Sequence, residues 1–199
     1  MKKAFTLLEL VFVMLVVGIM TALIIPRFSD SKLQEAADQI ISHIRYTQHL
    51  AMIDDRYDPT DQDWHKTRWQ MSFRSCINGD LYYVVGRDLD KQDGVEKDGS
   101  AINPTDRKHL FVSNNCDLAE DETSEIMITK KYGITNLVFS NSCGNNKYIA
   151  FDHLGRPYQT TLGDDPLDLI HERCTIKFTA DSGSFTIAIE PETGYVHKL

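Results

Sequence analysis

The sequence contains no H-E-x-x-H, no nucleophile elbow and no G-x-x-x-x-G-K loop, so metalloprotease, serine-hydrolase and nucleotide chemistry have no local signature. No C-x-x-C pair occurs among its four cysteines, Cys76, Cys116, Cys143 and Cys174, which leaves a zinc knuckle poorly supported. Basic residues are the minority, 21 Lys and Arg against 29 Asp and Glu, for a net charge of -8. A surface this acidic repels phosphate backbones and weighs against nucleic acid as the main partner. Charge is also missing locally: between Lys3 and Arg27 the only charged residue is Glu9. That apolar run approaches the ~20 residues a helix needs to cross a bilayer core, and a lone carboxylate inside it costs roughly 2.5–3.5 kcal/mol. Glu9 therefore calls for a partner.

All four cysteines follow the apolar run, and in an exported domain they point to two disulfides. Three pairings are open from sequence. Cys76–Cys116 and Cys143–Cys174 are favoured, because each closes a moderate loop worth roughly 2–4 kcal/mol.

Three kinds of amino terminus compete. A secretory signal has a shorter apolar region and a small-x-small cleavage site, but here the run ends in Ile24-Ile25-Pro26-Arg27. A plain anchor explains the length and not Glu9. The stretch Lys2-Lys3-Ala4-Phe5-Thr6-Leu7-Leu8-Glu9-Leu10 resembles the class III cleavage and methylation signal of type IV prepilin-like proteins. The resemblance implies cleavage between Ala4 and Phe5 by a prepilin peptidase, which then N-methylates Phe5. It makes Glu9 the family's assembly glutamate, whose carboxylate neutralises a neighbouring subunit's terminal ammonium, and matches Pro26 to a proline common in these helices. The family usually has glycine where Ala4 stands, so slower or tolerated cleavage is expected.

Beyond Pro26 the pattern becomes a stripe of Leu33, Ala36, Ala37, Ile40, Ile41, Ile44, Ala51 and Met52, at the spacing of a helix with one buried face. Helix is expected from Phe5 to about Asp54, with His43, Arg45 and His49 on its solvated side. Strands are expected around Trp69–Phe73, Leu81–Gly86, Leu110–Val112, Glu125–Thr129, Leu137–Phe139, Tyr148–Phe151, Cys174–Phe178, Ser184–Ile189 and Tyr195–Val196, with a hairpin turn at Asn78-Gly79-Asp80. The charged stretch from Arg87 to Arg107 reads as a long excursion. One long helix followed by many short strands is an α+β plan. Phe151-Asp-His-Leu-Gly-Arg156 and Thr193-Gly194-Tyr195-Val196 are similar to the carboxy-terminal domain of GspH/FimT-like minor pseudopilins and minor pilins, where a D-x-x-G-R turn and a final hairpin occur.

The resulting expectation is a leader at 1–4, a transmembrane and assembly helix at 5–28, an amphipathic helix at 29–57 and a periplasmic β-rich domain at 58–199. The membrane-spanning first half of the long helix sits in the inner membrane as a single pass, and the amphipathic second half packs on an antiparallel β-rich domain. The resemblance implies a minor pilin or pseudopilin of a type IV pilus or type II secretion machine. Its partners would be the peptidase/N-methyltransferase, other pilin or pseudopilin subunits and an inner-membrane assembly platform.

The alternative is a DNA-binding minor pilin, with Arg107-Lys108-His109, Lys130-Lys131 and Lys198 as its scattered basic residues. An enzyme is not expected; His171-Glu-Arg-Cys174 holds a Cys/His pair, but Cys174 is better spent on a disulfide. No cofactor is expected. Calcium is the one ion the acidic loops could take, at Asp88, Asp90, Asp93, Glu96 and Asp98 or at Asp164, Asp165 and Asp168, although the first set does not keep the two-residue steps of an EF-hand.

Overall fold

The computed structural model describes residues 7–54, 58–91, 94–144, 147–159 and 169–199, and for residues 22–31 the backbone alone. Helix α1 runs Leu7–Ile53 and is followed by strands β1 (Trp69–Ser75) and β2 (Leu81–Gly86). A short helix α2 (Ile128–Tyr132) leads into β3 (Ile134–Phe139), then β4 (Tyr148–Phe151), β5 (Pro157–Tyr158), β6 (Cys174–Ala180), β7 (Gly183–Ile189) and β8 (Val196–Lys198). They form two four-stranded sheets, ordered β2-β1-β4-β5 and β3-β6-β7-β8. Every neighbouring pair is antiparallel.

The second half of α1 lies across both sheets. Ala36, Ala37, Ile40 and Ile44 are fully buried, and Leu33, Ile41 and Ala51 nearly so. The two alanines bring the helix backbone close to the strands, while the isoleucines fill the space beside them. Beneath the helix, Phe73 of β1 meets Phe178 of β6 at 5.8 Å between ring centroids and Phe139 of β3 at 5.7 Å, which joins the two sheets. Phe178 in turn stacks on Phe185 of β7 at 4.9 Å. Both disulfides are present, Cys76–Cys116 with Cα atoms 5.7 Å apart and Cys143–Cys174 with Cα atoms 4.7 Å apart. All four sulfur-bearing side chains are buried.

Two expectations about the amino-terminal half are overturned. Among the described residues, no helix is long and apolar enough to cross a membrane. The membrane-spanning first half of the fold and the single-pass inner-membrane placement are corrected accordingly. Nor does the helix pack on the domain along its length: the side chains of residues 7–21 are exposed, and among the described side chains of α1 Leu33 is the first that is buried.

Smaller corrections follow from the buried segments. Glu125–Thr129 is not a strand; Ser124–Ile126 forms a 3-10 turn and α2 begins at Ile128. Ile126, Met127 and Ile128 are all buried, and a continuous apolar run does not distinguish strand from helix. Thr123 accepts the Glu125 N–H at the start of this segment, and Gly133 closes α2 at φ +74°. Leu110–Val112 is not a strand either, although Leu110 donates to Ala101 O and accepts from Val85 N, extending the edge of β2. Met52 leaves the stripe and is 53% exposed, while His43, expected on the solvated side, is buried. Because Ile40 is wholly enclosed between α1 and the sheets, Ile40→Ala is expected to lower unfolding free energy by roughly 2–5 kcal/mol in a denaturant titration.

Candidate assembly surface

The side chains of residues 7–20 in α1 are apolar on every side of the helix except for Glu9 and Gly18. Leu7 is 82% exposed, Phe12 65% and Met14 68%, and even the most sheltered, Val16, is 37% exposed. A helix that is apolar all round is ordinarily enclosed by other helices or another apolar medium. No atom lies within 4 Å of where a side chain on Gly18 would begin, so a second helix has room to approach there. Glu9 lies in the first described turn of α1. Ala4 and Phe5 lie outside the described residues. Pro26 falls within the helical backbone of α1.

At the other end of α1, Gln48 gathers the two motifs that the sequence singled out separately. Its amide donates to Gly155 O at 2.8 Å and to Thr193 O at 3.0 Å, bridging the Asp152–Arg156 turn and the turn before β8. One turn earlier, the Arg45 guanidinium donates to Val196 O at 2.7 Å. These contacts pin the helix to both motifs at once.

The Asp152 turn is held by its own carboxylate. Asp152 Oδ1 accepts from Leu154 N at 3.0 Å and Arg156 N at 2.9 Å, while Oδ2 accepts from Arg156 Nε at 2.8 Å and the Tyr158 hydroxyl at 3.1 Å. Burial alone would raise this carboxyl, but the Arg156 backbone and guanidinium outweigh it and hold it below the usual carboxylate range. Its contribution to stability is therefore present above the ordinary Asp value and lost as pH falls through the lowered one. The aliphatic and aromatic surroundings are closed by Arg68, whose guanidinium lies 3.8 Å from the Tyr158 ring and 4.7 Å from the Trp64 ring. The turn is a structural brace.

Among the described residues no group of three or more His, Cys, Asp or Glu side chains could hold a metal ion. Asp88, expected in an exposed acidic loop, is fully buried and accepts from Lys91 N at 2.7 Å and Gly94 N at 3.2 Å. Asp93, Asp164, Asp165 and Asp168 lie outside the described residues. Of the basic islands, Lys131 donates to Gln39 Oε1 at 2.8 Å, Lys130 to Cys116 O at 3.4 Å and Lys198 to Gln34 Oε1. Cys174 is bonded to Cys143, so it is not paired with His171 as a nucleophile.

Sequence reasoning missed Gln39, His43 and Gln48 as the polar contacts of α1. The available signal was their position: Gln39 and His43 flank the apolar stripe four residues apart, one helical turn, where a polar side chain can reach the partner sheet.

No family model, curated protein or solved structure matches this chain.

Gly194 adopts φ +62°, and a side chain there would meet Gly155 O at 2.4 Å and the Gln48 amide at 2.6 Å. Gly194→Ala is expected to cost roughly 1–3 kcal/mol, read as a lowered midpoint in thermal melts, because left-handed strain and a backbone clash coincide.

Proposed function

We propose that the chain is a filament subunit of the pilin or pseudopilin kind that assembles through the amino-terminal part of α1 and performs no reaction itself. The observation that carries this reading is the division of one helix into two environments. Residues 33–51 bury one face against the domain's own sheets, while residues 7–20 expose apolar side chains in every direction. A contiguous exposed surface of this kind marks an interaction site. The prepilin-like stretch from Lys2 to Leu10 gives the partner its character: the equivalent helices of other subunits, packed side by side, with Glu9 facing a neighbour's terminal ammonium. In such an array both charges are compensated, whereas either alone in an apolar bundle is costly. The two disulfides suit an oxidising compartment.

Two measurements test the proposal. Intact-mass and amino-terminal sequencing of the chain isolated from its own cells should find a mature protein beginning with N-methylated Phe5. An amino terminus that retains Met1 to Ala4 without methylation overturns the family reading. In the same cells, Glu9→Leu should leave the level of folded protein unchanged and lower its recovery in sheared filaments by at least about tenfold, which corresponds to about 1.4 kcal/mol of lost contact. Recovery equal to the wild type overturns the role of Glu9.

A further inference from the structure

Between α1 and the domain lies a chain of hydrogen bonds whose direction is fixed from its Lys131 end. Lys131 Nζ can only donate, and it donates to Gln39 Oε1 at 2.8 Å. The Tyr132 hydroxyl also donates to that oxygen. The Gln39 carbonyl is thereby the acceptor, and its amide nitrogen must point the other way. That nitrogen donates to Glu125 O at 2.7 Å and to the Tyr83 hydroxyl oxygen at 3.2 Å. The Tyr83 proton is then left for its remaining neighbour, His43 Nδ1, 2.6 Å away. His43 must accept there, so its own proton sits on Nε2 and the ring is neutral.

Both ends of this last link are enclosed. Tyr83 has no exposed surface, and His43 is 6% exposed. A proton added at Nδ1 would face the Tyr83 oxygen, which already receives the Gln39 amide. The displaced Tyr83 proton would need a new acceptor inside the core, and a buried donor without one costs roughly 1–3 kcal/mol. We propose that His43 is a pH-sensitive catch, holding α1 against β2 while it accepts the Tyr83 proton and loosening that contact once it is itself protonated.

The charged groups facing the ring divide. Burial pushes the His43 imidazole below its ordinary value, Glu125 and Asp106 pull it up, and Lys131 pushes it down. From α2, Tyr132 bridges Gln39 and Glu35, and burial lifts both its phenol and that of Tyr83 well above the usual range, so neither loses a proton at neutral pH. In this chain of bonds the imidazole is the side chain whose ordinary value lies nearest neutrality. With its folded value lowered, the unfolded or detached helix binds the proton first. Stability from this contact is full above about pH 6.5 and falls as pH drops from there through the lowered value. The catch acts whatever the amino-terminal part of α1 binds.

Nitrogen NMR of histidine-labelled full-length chain, kept in solution with a mild detergent, reads the state directly. His43 should show a bare Nδ1 and a protonated Nε2 at pH 7, and should titrate below the ordinary imidazole value of about 6.5. A protonated Nδ1 at pH 7, or a midpoint at or above about 6.5, overturns the proposal. Amide exchange in residues 33–51, corrected for the intrinsic pH effect, should accelerate by up to about tenfold per pH unit below 6.5. His43→Gln should remove that acceleration; an equal acceleration in this variant also overturns it. Should His43→Gln fail to fold, the wild-type tautomer and midpoint still decide.

Discussion

The fold depends on one contact, the seating of α1 across two sheets that, among the described residues, share no backbone ladder with each other. The strand orders β2-β1-β4-β5 and β3-β6-β7-β8 are separate, and what closes them into one core is side-chain packing under the helix. Phe73 reaches Phe139 and Phe178 across the gap, while Ala36, Ala37, Ile40 and Ile44 cover it from above. Removing the helix would expose the inner face of both sheets together. Its burial and the joining of the sheets are therefore one event, and the disulfides fasten loops at the margins of an arrangement that the helix centres.

How far the arrangement was legible in the sequence depends on where periodicity was clean. The stripe from Leu33 to Ile44 and the alternation in Cys174–Phe178 correspond to a helix and a strand with one buried face, while Trp69–Phe73 is the expected strand but buries Gln70 and Ser72 as well as Met71 and Phe73. Where a segment is buried on all sides the period vanishes, as at Ile126-Met127-Ile128, and helix was mistaken for strand. The acidic excursion hid a buried carboxylate in the same way. Asp88 looks solvated beside Asp90, yet its oxygens satisfy two backbone amides in a tight turn. The sequence also overstated the first half of α1: its apolar content was plain, but among the described residues no segment reaches a membrane-spanning length. Residue types told what the helix surface is, and not what surrounds it.

Pieces far apart in the chain became one brace through Gln48. The Asp152–Arg156 turn and the Thr193–Val196 segment were each readable as turns, but nothing in either predicts that a helix amide 107 and 145 residues away supplies their shared donor. The close approach at Gly194 exists because that amide and Gly155 O occupy the space a side chain would take. A glycine in sequence marks such a site only as a turn; the partner identifies the constraint.

The polar contacts also answer a question the apolar stripe leaves open. Sliding α1 by one turn would set Ile40 and Ile41 near the places of Ala36 and Ala37, an error of volume that a core partly absorbs by repacking. The same slide would strand the Gln39 amide, the Arg45 guanidinium and the Gln48 amide, whose acceptors lie on different strands and turns. A typical hydrogen bond contributes only about 1 kcal/mol net, yet leaving a buried group unmatched costs about as much or more. The three side chains are only partly buried, but they act on different turns of the helix, so a wrong register forfeits all of their bonds together. Hydrophobic burial holds the helix down, and the polar side chains decide where along its length it is held. That division fixes which residues project beyond the domain, and so gives the exposed apolar segment a defined reach.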